Sequence, residues 1–147
     1  MKTAALNIEP LDLPFDITLP MPGSKSHANR AIVAACLAGG ETILRNATPC
    51  DDVAALVEGV RTLGYDVEWV DRNAGTLRVR GGIPRTERRA LRTSLPCGNA
   101  GTTLRFLTSL ACITPGEWTV TGDERMQRRP IGDLTTALRA LGADIED

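Results

Sequence analysis

Two stretches of this chain, Gly23 to Arg30 and Gly98 to Arg105, open alike: a glycine, small polar residues, then an arginine seven positions after the glycine. Each continues as an apolar helix, Ala31 to Leu37 and Phe106 to Ile113. Each is followed by a turn and a short strand, Gly40-Glu41-Thr42-Ile43-Leu44 and Gly116-Glu117-Trp118-Thr119-Val120. Each then has a second helix ending in Leu-Gly, at Leu63-Gly64 and Leu141-Gly142, and an acidic–apolar–acidic triplet, Asp66-Val67-Glu68 and Asp144-Ile145-Glu146. The interval between matching residues barely drifts. Self-similarity of this extent means two copies of one supersecondary unit.

The first copy can be read locally. After Arg30 the helix carries apolar residues at Ile32, Ala35, Cys36 and Ala38 and stops at Gly39-Gly40. Thr42 to Leu44 is a short strand. Asp51 and Asp52 head the next helix, where the macrodipole favours acids. Val53, Leu56, Val57, Val60 and Leu63 share one helical face, and Gly64 ends it. Asp66 to Val70 alternates as a strand, Asn73-Ala74-Gly75 turns, and Thr76 to Arg80 returns. A strand over Asp16 to Leu19 leads in, which makes the unit βαβαββ.

The second copy reads as a strand over Leu91 to Leu95, a helix over Thr102 to Ile113, a strand over Glu117 to Thr121 and a helix over Ile131 to Leu141, with Pro130 at its first position. Nothing matches Thr76 to Arg80, so a strand edge is left unpaired and the chain reads as a fragment. The expected fold class is α/β (α+β): a segment 1–20, a first unit over 21–83, and a second unit over 84–147 that is cut short before its last strand. Gly81 to Arg92, with Pro84 and four arginines (Arg85, Arg88, Arg89 and Arg92), reads as a solvated connector.

Charge is nearly balanced, with 17 basic and 18 acidic residues, so no nucleic-acid or membrane partner is implied. The aromatic residues are only Phe15, Tyr65, Trp69, Phe106 and Trp118, too few for base-stacking platforms. Cys36, Cys50, Cys97 and Cys112 show no CxxC spacing and no nearby ligand histidine, so no metal site is expected. Cys36 and Cys112 fall in apolar helical runs as small core residues. No signal peptide opens the chain and no apolar run could span a bilayer, which predicts a soluble, reduced, cytoplasmic protein.

Pro22-Gly23-Ser24-Lys25-Ser26 enters a helix start, where backbone N–H groups and a positive dipole end favour an anion. Lys25, Ser26 and Arg30 project from that end. An ordinary N-cap with a solvated lysine fits the same residues. A nucleotide P-loop does not: Ser24, not glycine, precedes Lys25, and Thr18 to Pro22 hold no glycine. His27, the single histidine, reads as a helix-surface residue. Gly98-Asn99-Ala100-Gly101-Thr102 sits at the matching place in the second copy, where small residues let a ligand approach the backbone. Arg125, Arg128 and Arg129 gather before Pro130. Arginine forks suit carboxylate and phosphate. Asp123 and Glu124 can neutralise Arg125 and Arg128, which leaves Arg129 as the ligand candidate.

These motifs, in this order, resemble the 5-enolpyruvylshikimate-3-phosphate synthase family: Pro22 to Ser26 with Arg30, Gly98 to Thr102 with Arg105, and Gly122-Asp123-Glu124-Arg125-Met126 leading to Arg129-Pro130-Ile131. The resemblance runs from about Leu19 to Asp147. It implies carboxyvinyl transfer from phosphoenolpyruvate to the 5-hydroxyl of shikimate 3-phosphate, with release of phosphate and no cofactor. This is a step towards chorismate and the aromatic amino acids. It implies two similar domains of βαβαββ units in an inside-out barrel arrangement, with residues 1–20 belonging to the second domain. By position, Lys25 would contact both substrates as the catalytic lysine, Ser26 and Arg30 would hold shikimate 3-phosphate, and Asn99, Gly101 and Arg129 would hold phosphoenolpyruvate. The third unit and nearly all of the second domain of the family are absent from the sequence, so the chain alone is expected to be inactive, with a complementing chain as a further partner. Two alternatives stand beside this: UDP-N-acetylglucosamine enolpyruvyl transferase, whose first turn has Gly-Ala-Lys-Asn where this chain has Ser24 and Ser26, and a non-catalytic phosphate-binding fragment.

Overall fold

A computed structural model describes residues 7–10, 14, 16–84 and 92–146. The elements in order are α1 (Lys25–Leu37), β1 (Gly40–Leu44), α2 (Asp51–Thr62), β2 (Asp66–Asp71), β3 (Thr76–Gly81), β4 (Thr93–Pro96), α3 (Gly101–Ala111), β5 (Trp118–Thr121), α4 (Glu124–Gln127) and α5 (Gly132–Ala140). The class is mixed α/β. Strands β1, β3 and β2 form one antiparallel sheet with β3 in the middle, and β4 pairs with β5 in parallel.

The helices α1, α2 and α3 pack side by side, with the three-stranded sheet against α1 and α2 and the β4–β5 pair against α2 and α3. One continuous core joins both halves of the chain. Ile32, Leu56, Val60, Leu63, Leu77, Val79, Leu95 and Leu107 are all wholly buried in it. Each such side chain contributes roughly 1.5–3 kcal/mol by leaving water. The helical face of α2 is the one its spacing predicts, since Val53, Leu56, Val57 and Val60 are all buried. Gly59 on the same helix lets α3 come close: a Cβ there would lie 2.5 Å from Leu107 Cδ1. The solvent face of the three-stranded sheet is instead a charge ladder. Arg78 pairs with Glu41 and Glu68, and Arg80 pairs with Glu41 and Asp66. Exposed pairs of this kind add little stability but keep the face solvated.

Several expectations need correction. Residues 16–20 form no strand, and Ile17 and Leu19 are 60% and 63% exposed. A four-residue pairing gains too little to order the backbone when its apolar side chains reach no core. Asp144 to Glu146, the counterpart of β2, is not a strand either. In the first half β2 bonds only to the middle strand β3, never to β1. Residues 144–146 have no such middle strand among the described residues. Pro130 is not the first residue of α5, which has Ile131 as its N-cap and begins at Gly132. Ala38 is not a core residue but the exposed C-cap of α1. The short helix α4 has no counterpart in the first half, and Asp123 caps it through a 2.8 Å bond from the Met126 N–H. Asn29 is wholly buried, with neither amide atom bonded to a described residue.

In the connector, Arg85, Arg88, Arg89 and Leu91 lie outside the described residues. Arg92 pairs with Glu117 at 3.0 Å. Cys36 is buried as expected, and so is Cys97, whereas Cys112 is only half-buried. No described helix is long and apolar enough to cross a membrane. No group of acidic, Cys or His residues among those described could hold a metal ion.

Candidate functional site

The first three long helices begin next to one another. Lys25 is the first residue of α1, Asp52 the second of α2 and Thr103 the third of α3. Lys25 Nζ lies 2.9 Å from Asp52 Oδ2. Thr103 Oγ1 donates to the Asp52 carbonyl at 3.0 Å. Three positive dipole ends therefore converge where Lys25 sits half exposed, and such a place attracts anions. The hydrogen bond to Asp52, reinforced by its charge, raises the Lys25 pKa above the ordinary lysine value, so the ammonium is charged throughout the physiological range.

Local chemistry sets the Lys25 turn. Ser24 is the N-cap of α1, its hydroxyl accepting from the His27 N–H at 3.4 Å. Gly23 is needed because a Cβ there would overlap the Asn46 carbonyl oxygen. Ser26 and Arg30, one turn apart, are brought together: Arg30 Nη1 donates to the Ser26 carbonyl at 2.9 Å. Both are exposed, and no described residue bonds the Ser26 hydroxyl. His27 is exposed on the helix surface, as its sequence context suggests.

The second cluster forms around the start of α3. Its N-cap is Ala100, which offers no side-chain cap, so the first-turn N–H groups keep their capacity for a ligand. Asn99 is exposed beside it. The Asp123 N–H donates to the Gly98 carbonyl at 3.0 Å, and a Cβ on Gly122 would lie 2.5 Å from that same oxygen. These close approaches press residues 122–129 against the glycine-rich turn. Arg129 then reaches Gly101, where a Cβ would lie 3.6 Å from Cζ and would run into Nη1. Arg128 is taken up by Glu124. Arg129 and Arg125 have no acidic partner among the described residues, and Arg129 is exposed. Arg105, paired with Arg30 in the repeat, donates to the Pro130 carbonyl at 3.1 Å and so steadies the turn that presents Arg129.

The structure thus gathers Lys25, Ser26 and Arg30 at one helix start and Asn99, Gly101 and Arg129 at another. The Lys25–Asp52–Thr103 chain connects the two. Sequence reasoning placed Asp52 at a helix start for its dipole and missed its pairing with Lys25. It also missed Thr103 and Thr48, whose hydroxyl donates to the Gly23 carbonyl. The acidic pair heading α2 was a usable signal for Asp52. Thr48 and Thr103 carried none, since their partners are distant in sequence.

Comparison with known proteins adds the family. The family model described as EPSP synthase (3-phosphoshikimate 1-carboxyvinyltransferase) matches residues 14–147. The 3-phosphoshikimate 1-carboxyvinyltransferase of Aliivibrio salmonicida is 38% identical over 143 residues, which cover 97% of this chain and 33% of that protein. Its counterpart in Shewanella amazonensis is 44% identical over 126 residues, 85% of this chain and 29% of that protein. The solved EPSP synthase from Acinetobacter baumannii superposes with a TM-score of 0.73 at 26% identity, over 86% of this chain and 28% of that one. The chain spans about a third of the length of the curated relatives it matches. A family match over nearly all its residues, on a superposable fold with both glycine-rich turns at helix starts, makes this chain a member of the EPSP synthase family.

Proposed function

We propose that this chain supplies one wall of an active site that transfers the carboxyvinyl group of phosphoenolpyruvate to the 5-hydroxyl of shikimate 3-phosphate. The observation that carries this reading is the convergence of the α1, α2 and α3 starts on Lys25, with the guanidinium of Arg129, which has no acidic partner among the described residues, lying over Gly101 at the α3 start. Both substrates are polyanions, and bringing them together takes several fixed cations and helix N-termini.

In this reading Ser26 and Arg30 hold shikimate 3-phosphate, Asn99, Gly101 and Arg129 hold phosphoenolpyruvate, and Lys25 lies between the two. The 5-hydroxyl of the acceptor gives up its proton as its oxygen bonds to C2 of phosphoenolpyruvate, and C3 takes a proton, which gives a tetrahedral ketal. The C2–O bond to phosphate then breaks, C3 loses a proton, and phosphate leaves. Positive charge held at Lys25 and Arg129 stabilises the phosphate as its negative charge grows. The groups that move protons to and from C3 are not assigned to this chain. Turnover then requires a complementing chain or segment that carries them.

The finer architecture follows the same reading. Residues 21–83 correspond to one copy of the βαβαββ unit of an inside-out barrel, residues 84–147 to a second copy cut short before its last strand, and residues 1–20 belong with its second domain. The cytoplasm is the expected compartment.

The test is a heteronuclear NMR titration of this chain. Shikimate 3-phosphate should shift Lys25, Ser26 and Arg30, and phosphoenolpyruvate should shift Gly101 and Arg129. Lys25→Ala should weaken both, and Arg129→Ala only the second, each by about tenfold or more, as expected for a lost charge-assisted hydrogen bond. A dispersed spectrum that neither ligand perturbs would refute the assignment.

A further inference from the structure

The turn that carries Lys25 is held from outside its own helix at two points. Thr48 Oγ1 donates to the Gly23 carbonyl, and Asp52 pairs with Lys25. Both belong to the stretch from Asn46 to Asp52, which runs from the link after β1 into the first turn of α2. That stretch is itself tightly folded. Asn46 takes the left-handed conformation at φ 57°, and the Cys50 N–H donates to the Thr48 carbonyl at 2.9 Å.

Its anchor is the β2–β3 hairpin. The Ala47 N–H donates to the Gly75 carbonyl at 2.8 Å, and Ala47 is buried there. Gly75 sits at φ 63°, where a Cβ would lie 3.0 Å from Ala47 N and closer still to the Ala47 carbonyl oxygen. Only glycine meets both demands. The hairpin tip is kept rigid by Asp71, whose Oδ1 accepts from the Asn73 and Ala74 N–H groups at 2.9 and 3.0 Å. A continuous path of contacts therefore runs from Asp71 through Gly75, Ala47 and Thr48 to Gly23.

We propose that the β2–β3 hairpin tip is a positioning element for the anion-binding turn, with Gly75 seating Ala47 and Thr48 fixing the Gly23 carbonyl. The inference rests on the reading of Lys25 as an anion ligand. The physical basis is peptide planarity. The Gly23 carbonyl and the Ser24 N–H share one rigid plane, so pinning the oxygen sets where that N–H points and how α1 begins. The Lys25 side chain then leaves the helix start at the angle that meets Asp52. Gly75 and Thr48 touch no ligand in this scheme and act only through the turn.

The test uses Thr48→Val, Thr48→Ser and Gly75→Ala in this chain, with inorganic phosphate and shikimate 3-phosphate as probes. Thr48→Val keeps shape and removes the donor, and Thr48→Ser keeps the donor. The first readout is the Lys25 Nζ signal followed through its titration by NMR. In Thr48→Val and Gly75→Ala it should titrate at lower pH than in the parent chain, because the ammonium loses its fixed approach to Asp52. Thr48→Ser should restore the parent curve. The second readout is affinity for the two probes, which should fall about tenfold in Thr48→Val and recover in Thr48→Ser. Amide exchange in β3 should stay unchanged in both Thr48 variants, which separates repositioning from unfolding. An unaltered Lys25 titration in a folded Thr48→Val and Gly75→Ala would overturn the proposal. If neither probe binds the parent chain, the ligand reading of Lys25 fails, and the Lys25 titration still decides whether the hairpin positions it.

Discussion

The guanidinium of Arg129 occupies the space in which a side chain on Gly101 would begin. Arg129 lies at the end of the segment that follows β5, and Gly101 is the first residue of α3. The contact therefore ties the arginine to the helix start whose uncapped N–H groups it faces. A methyl group at position 101 meets the far end of a flexible side chain rather than backbone, so the arginine moves and the fold stays.

Gly101→Ala should thus separate stability from binding. Alanine in a helix is favoured over glycine by roughly 0.5–1 kcal/mol. Urea unfolding should show stability unchanged or slightly higher. Phosphoenolpyruvate affinity should drop about tenfold as Arg129 is displaced. Equal affinity in the variant would mean that the arginine does not serve that ligand.

The contact between α2 and α3 makes a packing prediction. A Cβ on Gly59 would lie 2.5 and 2.6 Å from the two methyl carbons of Leu107, and Leu107 is wholly buried with no room to retreat. Gly59→Val should destabilise the chain by about 1–3 kcal/mol through overpacking. Pairing it with Leu107→Ala should recover part of that loss, as measured by a double-mutant cycle in chemical denaturation.

Stability should decline at alkaline pH. Burial pushes the Cys36 thiol from 9.0 up to about 12, so above pH 9 the unfolded chain loses this proton while the folded chain keeps it. Stability falls wherever the folded state binds more protons as pH rises. The Lys25 ammonium acts in the same direction. Its pKa is raised by the Asp52 hydrogen bond, so its contribution is full below the ordinary value of 10.5 and is lost as pH climbs through the folded value. Denaturation midpoints should be flat near neutrality and fall between pH 9 and about 12. Cys36→Ala should flatten that decline, and an unchanged slope would assign it elsewhere.

Hydrogen exchange should rank the strands. Strand β3 is paired on both sides, by β1 and by β2. Strand β5 is paired only with β4 among the described residues. Amides of β3 should exchange slowest, and those β5 amides that face away from β4 should exchange near the rate of open structure. Comparable protection across both edges of β5 would show that another strand covers it.

The local elements were largely legible. Helices α1, α2 and α5 follow from apolar spacing and the glycines that stop them, α3 from its apolar run after a glycine-rich turn, and β2 and β3 from alternation around Asn73-Ala74-Gly75. Two segments form no strand for one reason: Asp16 to Leu19, expected as a strand, and Asp144 to Glu146, which matches β2 in the repeat, find no partner edge among the described residues. A strand is a relation between segments, and alternation in one segment cannot supply the other. At the site, Lys25, Gly101 and Arg129 stood out because glycine turns and arginine clusters leave marks in sequence. Thr48 and Thr103 are ordinary threonines whose meaning lies in the carbonyls of Gly23 and Asp52.

The chain's family and the identity of its candidate ligand groups were set by sequence alone, through motifs in a fixed order on a repeating pattern of helices and strands. Only the tertiary structure decided that Lys25 meets Asp52, that Thr103 holds the same residue, and that Arg129 lies over Gly101. The physical reason is range. Capping, periodicity and turn chemistry act over a few residues, whereas these contacts join segments that come together only when α1, α2 and α3 bury one shared core.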